Sequence, residues 1–424
     1  MYFLYTLLVY VIYFFVSILI NFFPKYKKIQ SERTRLLKEV LSKNAEGREV
    51  IWLHSASVGE LDQSKALIAI IKKKNPKSFI LQSVFSASVT EKQLIDPQID
   101  AYFYLPFDIP NFYKPILKKF KPKKLIILAW DTWPNLLKTC SEFGVKTFLV
   151  CAALSPNSSR KNSFLKKLTK ESFSYLNGLY PTHPFSEKEF RDLVSDSTDF
   201  QVLGDSRFDS VLIKLKTKKP KESFLKYIQK TESHWKKKPP YIFGSTYSIC
   251  ESYILDWISQ TESKQALWIF PHKWEEERGN QLVKSLGKFM ETKRFSEISV
   301  SGKTPDCIVF DELGILAFAY KYGRLAYVGG GFHHRIHNTI EPAAFGLPLL
   351  TGPKIDNAPE ALVMQSLGGL KRVYNSEEFV TTLRTIETDK KEFKRIGQIN
   401  RNFVVENSGA SEKIYNRVFL NDKT

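Results

Sequence analysis

Cysteine is scarce in this chain. The four cysteines, Cys140, Cys151, Cys250 and Cys307, are scattered without a CxxC pair, which argues against a disulfide framework or a zinc site and suits a reducing compartment. No internal repeat is present, and no low-complexity tract beyond short basic runs. Acidic residues are outnumbered, 44 against 63 basic, and the formal charge of +19 calls for an acidic partner: nucleic acid, an anionic membrane or a phosphorylated substrate. Helix-turn-helix, zinc-finger and RNP patterns are missing, so no nucleic-acid partner is expected. The basic runs Lys72–Lys74, Lys118–Lys124 and Lys236–Lys238 suit an anionic membrane surface instead, at about 1 kcal/mol per basic residue near the lipid.

Charge is also absent from Tyr2–Phe23, an almost wholly apolar run. About 20 residues of helix span the hydrocarbon core of a bilayer. Pro24 ends the run and Lys25, Lys27 and Lys28 follow, so the positive-inside rule puts the rest of the chain in the cytoplasm. A cleaved signal peptide would need basic residues before the run and small residues after it, and has neither. An N-terminal anchor helix, residues 1–24, on the cytoplasmic face of the inner membrane is the expectation; spanning and shallow insertion are both compatible with it.

With 424 residues the chain is too long for one ordinary core, so two domains are expected. From Glu49 strand and helix patterns alternate. Strands are predicted at Val50–Leu53, Ser78–Val84, Leu125–Ala129, Lys146–Cys151, Gly178–Tyr180 and Phe200–Leu203, with helices between them such as Phe112–Lys118 and Phe164–Leu176. The basic stretch Lys214–Lys221 breaks the pattern. A second set follows at Tyr241–Phe243, Leu267–Phe270, Cys307–Phe310, Leu325–Val328 and Leu347–Leu350. This alternation predicts an α/β fold of two doubly wound Rossmann-like domains, at 25–213 and 241–424, joined by a linker at 214–240, with the last helix able to cross back. A cleft between facing strand ends is expected.

Two stretches carry chemistry. In WLHSASVGE, Trp52–Glu60, a buried strand meets a tight loop and then the amphipathic run Leu61–Ile71. Ser55, Ser57 and Gly59 let a ligand approach the backbone closely, and free N–H groups at a helix start favour an anion. Glu60 either complements the helix N-terminus or takes a proton from a substrate hydroxyl. In AYVGGGFHHRIHNTIEPAAFGLPLLTGP, Ala326–Pro353, a strand runs into Gly329, Gly330 and Gly331, which would let a phosphate reach backbone N–H groups; Asn338 then opens a helix carrying Glu341, placed to accept from ribose hydroxyls.

These segments, with the N-terminal anchor, YLPFDIP (Tyr104–Pro110), WPN (Trp133–Asn135), ALSPNS (Ala153–Ser158), GDSRFD (Gly204–Asp209), GST (Gly244–Thr246) and GP (Gly352–Pro353), resemble in order and spacing the Kdo transferases, which attach 3-deoxy-D-manno-octulosonic acid to the lipid A precursor. The resemblance implies an inverting glycosyltransferase of the two-Rossmann-domain (GT-B) type in lipopolysaccharide core biosynthesis. The donor would be CMP-Kdo and the acceptor the lipid A precursor, with no cofactor and no catalytic metal. It implies Glu60 as general base with Asp131 beside it. Arg207, Ser245, Thr246, His272, Gly329–Gly331, Asn338 and Glu341 would bind the donor, and His54, Ser55, Ser57 and Gly59 the acceptor. The chain departs from the family pattern at three places. AWDTWPN has Asp131 where the family has a second glutamate, Arg207 replaces a lysine, and PHKWEEER replaces a PRHPER-like segment, leaving His272, with Lys273 beside it, to face phosphate.

Inverting transfer is a direct displacement: one base deprotonates the attacking hydroxyl, and the leaving CMP phosphate must be stabilised, here by glycine N–H groups with Arg207 and His272. A helix N-terminus would lower the pKa of Glu60, making it a competent base mainly when donor and acceptor exclude water. No Asp-x-Asp motif is present, consistent with a metal-free leaving group. His333, His334 and His337 tempt a metal reading but lack a carboxylate at ligand spacing. Two alternatives stand beside this reading: another membrane-associated GT-B enzyme using a nucleotide-diphosphate sugar, which should carry a diphosphate-binding basic motif, and a membrane-tethered binding protein with a dead transferase fold, which need not keep Glu60, Asn338 and Glu341.

Overall fold

The computed structural model describes residues 1–153, 163–261, 265–298, 302–333 and 335–420. It divides into two compact units, Met1–Ser210 with Ser408–Thr424, and Val211–Asn407. The expected linker at 214–240 is largely helical: Ser206–Thr217 runs across the division and Glu222–Lys237 belongs to the second unit. The apolar spacing of Phe224, Tyr227, Ile228 and Trp235 explains this, because it gives the lysine-rich segment one buried face.

In the first unit the strands are β1 (Val50–Ser55), β2 (Phe79–Val84), β3 (Ala101–Tyr104), β4 (Lys124–Leu128), β5 (Lys146–Ala152), β6 (Gly178–Pro181) and β7 (Asp199–Phe200). All pair in parallel, in the order β3-β2-β1-β4-β5-β6-β7. Every residue of β1 is buried, as expected of a central parallel strand covered on both faces. Its side chains alternate: Val50 and Trp52 pack with Phe79, Leu81 and Leu125, whereas Ile51 and Leu53 pack with Leu67, Ile68 and Ile71. Ile414, Tyr415 and Val418 join the latter face, which explains why the end of the chain belongs to this unit. Asp209 fixes that return by accepting from the Ser411 N–H at 2.6 Å.

The second unit repeats the plan with β8 (Tyr241–Thr246), β9 (Leu267–Pro271), β10 (Thr292–Arg294), β11 (Cys307–Val309), β12 (Leu325–Val328), β13 (Leu349–Thr351) and β14 (Leu370–Arg372), in the order β10-β11-β9-β8-β12-β13-β14. Strands β3, β10 and β14 are short and lie at or beside sheet edges, and they were not predicted. In both sheets the order reverses beside the first strand, between β1 and β4 and between β8 and β12. Each reversal opens a crevice at the carboxyl ends of the strands.

The N-terminal helix Tyr2–Leu19, continued to Phe22, is the one helix among the described residues long and apolar enough to cross a membrane. One face is tied down. The Tyr2 hydroxyl donates to the Pro134 carbonyl, the Tyr5 hydroxyl to Asp108 at 2.7 Å and the Thr6 hydroxyl to Asn135 at 2.8 Å, while the Tyr13 ring lies 5.2 Å from Phe107. The remainder is bare, with Phe3 78% and Phe22 73% exposed. Asp108 is the anchor point, because its buried carboxylate also accepts from the Tyr113 hydroxyl at 2.8 Å and from the N–H groups of Asn135 and Leu136 at 2.9 Å, capping the helix Pro134–Glu142. Asp108→Ala strands these donors, and urea unfolding is expected to show a loss of about 3 kcal/mol. A change below about 0.5 kcal/mol would mean that the carboxylate holds nothing.

Candidate functional site

The crevice between β1 and β4 holds Glu60. After Ser55 the chain turns, Ser57 takes an extended conformation as N-cap, and the helix Val58–Lys74 begins with its hydroxyl accepting from the Glu60 N–H at 3.5 Å. The Glu60 carboxylate turns back to accept from the Ala56 N–H. Glu60 therefore does complement the helix start, but its pKa is raised rather than lowered. Burial is the largest cause and the nearby Asp131 charge adds to it, outweighing the Ala56 N–H, His54 and the Ser57 N–H. The expectation of a helix-weakened base is corrected: desolvation wins over the helix terminus.

Asp131 is held from below. It follows β4 through Ala129, whose φ of +60° is left-handed, a strained turn at a strand end. His54 Nε2 lies 2.8 Å from Asp131 Oδ2, and Trp133 Nε1 donates to the same oxygen at 3.1 Å. The other ring nitrogen of His54 lies 2.8 Å from Ser83 Oγ, which also accepts from Trp52 Nε1 at 2.8 Å. With the indole already donating to Ser83, the hydroxyl proton is free to go to His54 Nδ1. That arrangement leaves Nε2–H to donate to Asp131. His54 is 0% exposed and Ser55 is equally buried, donating to the Glu60 carbonyl at 3.2 Å, so neither faces an acceptor; β1 runs on through both. Of the four acceptor residues, only Ser57 and Gly59 reach the surface of the loop, and a Cβ at Gly59 would meet nothing within 4 Å.

Arg207 also lies in the first unit. Its guanidinium is paired with Asp205 at 2.6 Å, and Gln63 donates to that carboxylate at 3.0 Å. Residues 154–158 of the ALSPNS segment lie outside the described residues, as does His334.

In the second unit a cavity of about 630 Å³ opens at the carboxyl ends of β9, β8 and β12. Its walls include Tyr247, His272, Lys273, Arg278, Arg335 and His337. The rings of His272 and His337 stack 4.5 Å apart, Tyr247 lies 4.9 Å from His272, and its hydroxyl meets His337 Nε2 at 3.2 Å. Burial lowers the pKa of His272, and Lys273 and Arg278 lower it further; burial, His272 and Arg335 bring His337 down to about 4. The stack is therefore a neutral platform ringed by fixed cations, suited to a planar group attached to an anion.

Arg278, Tyr247 and Arg335 were not singled out from the sequence. Arg278 lines the cavity beside His272 and Lys273, the two residues expected to face phosphate there. Two of its nitrogens donate to the buried Glu251 carboxylate at 2.8 and 3.1 Å, and Thr246 donates to Glu251 at 2.8 Å, so the guanidinium is clamped at the cavity wall. The available signal was an arginine in the first turn of the helix Glu276–Leu286, which follows β9. Thr246 is fully buried in this clamp and does not face ligand.

Gly329 and Gly330 play a different part from the one expected. The Gly329 N–H is already spent on the Gly244 carbonyl at 2.8 Å, and the Gly330 N–H points at the Cys250 thiol, so neither is free for phosphate. They are glycines because a Cβ at 329 would sit 1.9 Å from the Ser245 carbonyl oxygen, while Gly330 has a φ of +93°. Ser245 itself is left-handed, at φ +54°. A Cβ at Gly331 would meet the Gly352 backbone at 2.8 Å. The loop brings His333 and His337 to the cavity, their N–H groups bonded to Gly330 and Gly329. Asn338 accepts from the N–H groups of Ile340 and Glu341 at 2.9 and 3.2 Å, and the Glu341 carboxylate is paired with Lys214 at 2.7 Å. Among the described residues no group of three histidine, cysteine or acidic side chains is placed to hold a metal ion.

Residues 29–210 match the family model described as 3-deoxy-D-manno-octulosonic-acid transferase. The chain is 24% identical over 402 residues to the 3-deoxy-D-manno-octulosonic acid transferase of Haemophilus influenzae, covering 92% of this chain and 91% of that one. It is 26% identical over 361 residues to that of Aquifex aeolicus, covering 83% and 89%. Among solved structures, the UDP-GlcNAc 2-epimerase of Neisseria meningitidis, bound to UDP-GlcNAc, shares the fold with a TM-score of 0.61 at 12% identity, covering 87% of this chain and 99% of that one. Its counterpart from Methanocaldococcus jannaschii gives 0.55 at 14%, covering 85% and 99%.

Two measurements test this site. Glu251→Ala removes the clamp and should weaken calorimetric binding of a nucleoside monophosphate about tenfold, nearly as much as Arg278→Ala; unchanged affinity in a folded Glu251→Ala protein would reject the clamp. The His337 ring should titrate by NMR with a midpoint of about 4. Because the unfolded imidazole takes up its proton at an ordinary, higher pH, this group destabilises the fold as pH falls from that range toward 4. A midpoint in the ordinary histidine range would contradict the packing described.

Proposed function

We propose, from the premise that this chain is a glycosyltransferase homologous to the Kdo transferases, that it moves Kdo from CMP-Kdo to the lipid A precursor in lipopolysaccharide core biosynthesis. The observation that carries the reading is Glu60: a half-buried carboxylate with a raised pKa, at the point where the sheet order reverses, beside a second carboxylate fixed by a buried histidine. Such a group is a better base than an ordinary surface glutamate and can take a proton from an attacking hydroxyl.

In this reading the acceptor hydroxyl attacks the anomeric carbon of Kdo as Glu60 removes its proton. The bond from that carbon to the CMP phosphate oxygen breaks, and the electron pair leaves with the phosphate. Arg278, with Lys273 and Arg335 near it, meets the leaving phosphate, while the Tyr247–His272–His337 stack takes the planar part of the nucleotide. No step calls for a metal ion or another cofactor. Glu341 binds the ribose hydroxyls only by exchanging its bond to Lys214 for them. The bare apolar face of the N-terminal helix, followed by Lys25, Lys27 and Lys28, beds in the cytoplasmic face of the inner membrane, where the acylated acceptor resides. The hydroxyl contacts that tie its other face to the body favour a helix lying along the surface over one that crosses it.

Glu60→Gln keeps shape and removes the proton acceptor. It should retain CMP affinity yet lose transfer by about 10²–10⁴-fold. The wild-type rate should rise with pH through an inflection above the usual carboxylate range, and that limb should vanish in the variant. Near wild-type turnover by Glu60→Gln would sink the assignment and leave Asp131 as the next base to test.

A further inference from the structure

We infer that Arg33 and the apolar cavity beside it form a subsite for the phosphate-bearing, acylated end of the acceptor glycolipid, an inference that rests on the lipid acceptor proposed above. The cavity, about 180 Å³, lies where the N-terminal helix meets the first unit; Tyr13, Arg33, Leu37, Tyr104, Leu105 and Phe112 line it. Apart from the guanidinium its walls are mostly aromatic and aliphatic.

Arg33 is an unusual cation for such a place. It sits on the helix Pro24–Ser42, half-buried, with its guanidinium carbon 5.6 Å from the Phe85 ring centre and 5.2 Å from that of Tyr104. One nitrogen donates to the Phe85 carbonyl at 2.5 Å, and Nε is buried with no partner. Among the described residues no carboxylate pairs with it, although Arg35, two residues on, is paired with both Glu39 and Glu91 at 2.6 and 2.7 Å. A half-buried guanidinium without an acid is costly, and its N–H groups not spent on the Phe85 carbonyl can donate to a phosphate oxygen.

The surroundings select an amphipathic ligand over a free anion. On one side the cavity is walled by Tyr13, from the helix whose opposite face is bare and apolar. On the other, the Phe85 ring lies 4.8 Å from Trp133, whose indole donates to Asp131. Side-chain contacts thus lead from Arg33, at the cavity wall it shares with Tyr13, through Phe85 and Trp133 to Asp131, the carboxylate beside Glu60. A sugar phosphate with acyl chains has its charge, chains and reacting hydroxyl in that order of need: a cation, an apolar wall, a base.

The test uses the full-length protein in detergent micelles, with a phosphorylated, acylated glucosamine disaccharide and the same molecule after phosphatase treatment as acceptors. Arg33→Ala should raise KM for the phosphorylated acceptor about tenfold with kcat and CMP affinity nearly unchanged, Arg33→Lys should recover part of the loss, and the dephosphorylated acceptor should be used equally poorly by wild type and Arg33→Ala. Leu37→Trp, which fills the cavity and keeps the cation, should raise KM for both acceptors. An unchanged KM in Arg33→Ala, or an equal loss on both acceptors, overturns the subsite. A defect confined to phosphatidylglycerol vesicles and absent in micelles assigns the cation to bulk lipid and overturns it too. If wild type transfers no sugar at all the proposed function fails, while equilibrium binding of the phosphorylated disaccharide to wild type and Arg33→Ala still decides whether Arg33 holds phosphate.

Discussion

The two reversals of strand order set everything else. A parallel sheet built outward in both directions from its first strand sends the chain away on opposite sides of one gap, so no connection covers the carboxyl ends there. Glu60 follows β1 and Asp131 follows β4, the pair flanking the first gap; Tyr247 follows β8, and His333 and His337 follow β12, flanking the second. Left-handed Ala129 and Ser245 occur at these gaps, where the chain must turn sharply while the sheet beneath stays packed.

Burial then fixes the electrostatics of each gap. In the first, partial desolvation and Asp131 raise the pKa of Glu60, favouring a base over a spectator anion. In the second, burial and surrounding cations lower the pKa of His337 and His272, so the stacked rings stay neutral and the positive charge resides on arginine and lysine. The same logic makes Glu251 the partner of Arg278: an acid buried behind the cavity wall fixes a cation at its surface without neutralising the cavity from the front.

Much of this was legible in the residues. The apolar run Val50–Leu53, the small polar residues that end it and Glu60 at the head of an amphipathic run were local signals, and local signals specify strand, loop and helix. Side-chain direction was not legible. His54 and Ser55 read as loop residues because they are polar, but β1 continues through them, and the Ser83 and Gln82 side chains that satisfy them come from the neighbouring strand. The glycines of 329–331 read as a phosphate cradle because spacing cannot reveal that the Gly329 N–H is consumed by β8 or that Ser245 lies against it. Glu251 and Arg278 are 27 residues apart on different helices, and only the sheet order brings them together.

The account turns on one reaction. Full-length protein should be mixed with CMP-Kdo and a tetra-acylated lipid A precursor in mixed micelles without added metal, and the glycolipid weighed by mass spectrometry as CMP release is followed. The account predicts product heavier by whole Kdo residues, with one CMP released for each. Glycolipid of unchanged mass, or transfer only from a nucleotide-diphosphate sugar, would contradict it.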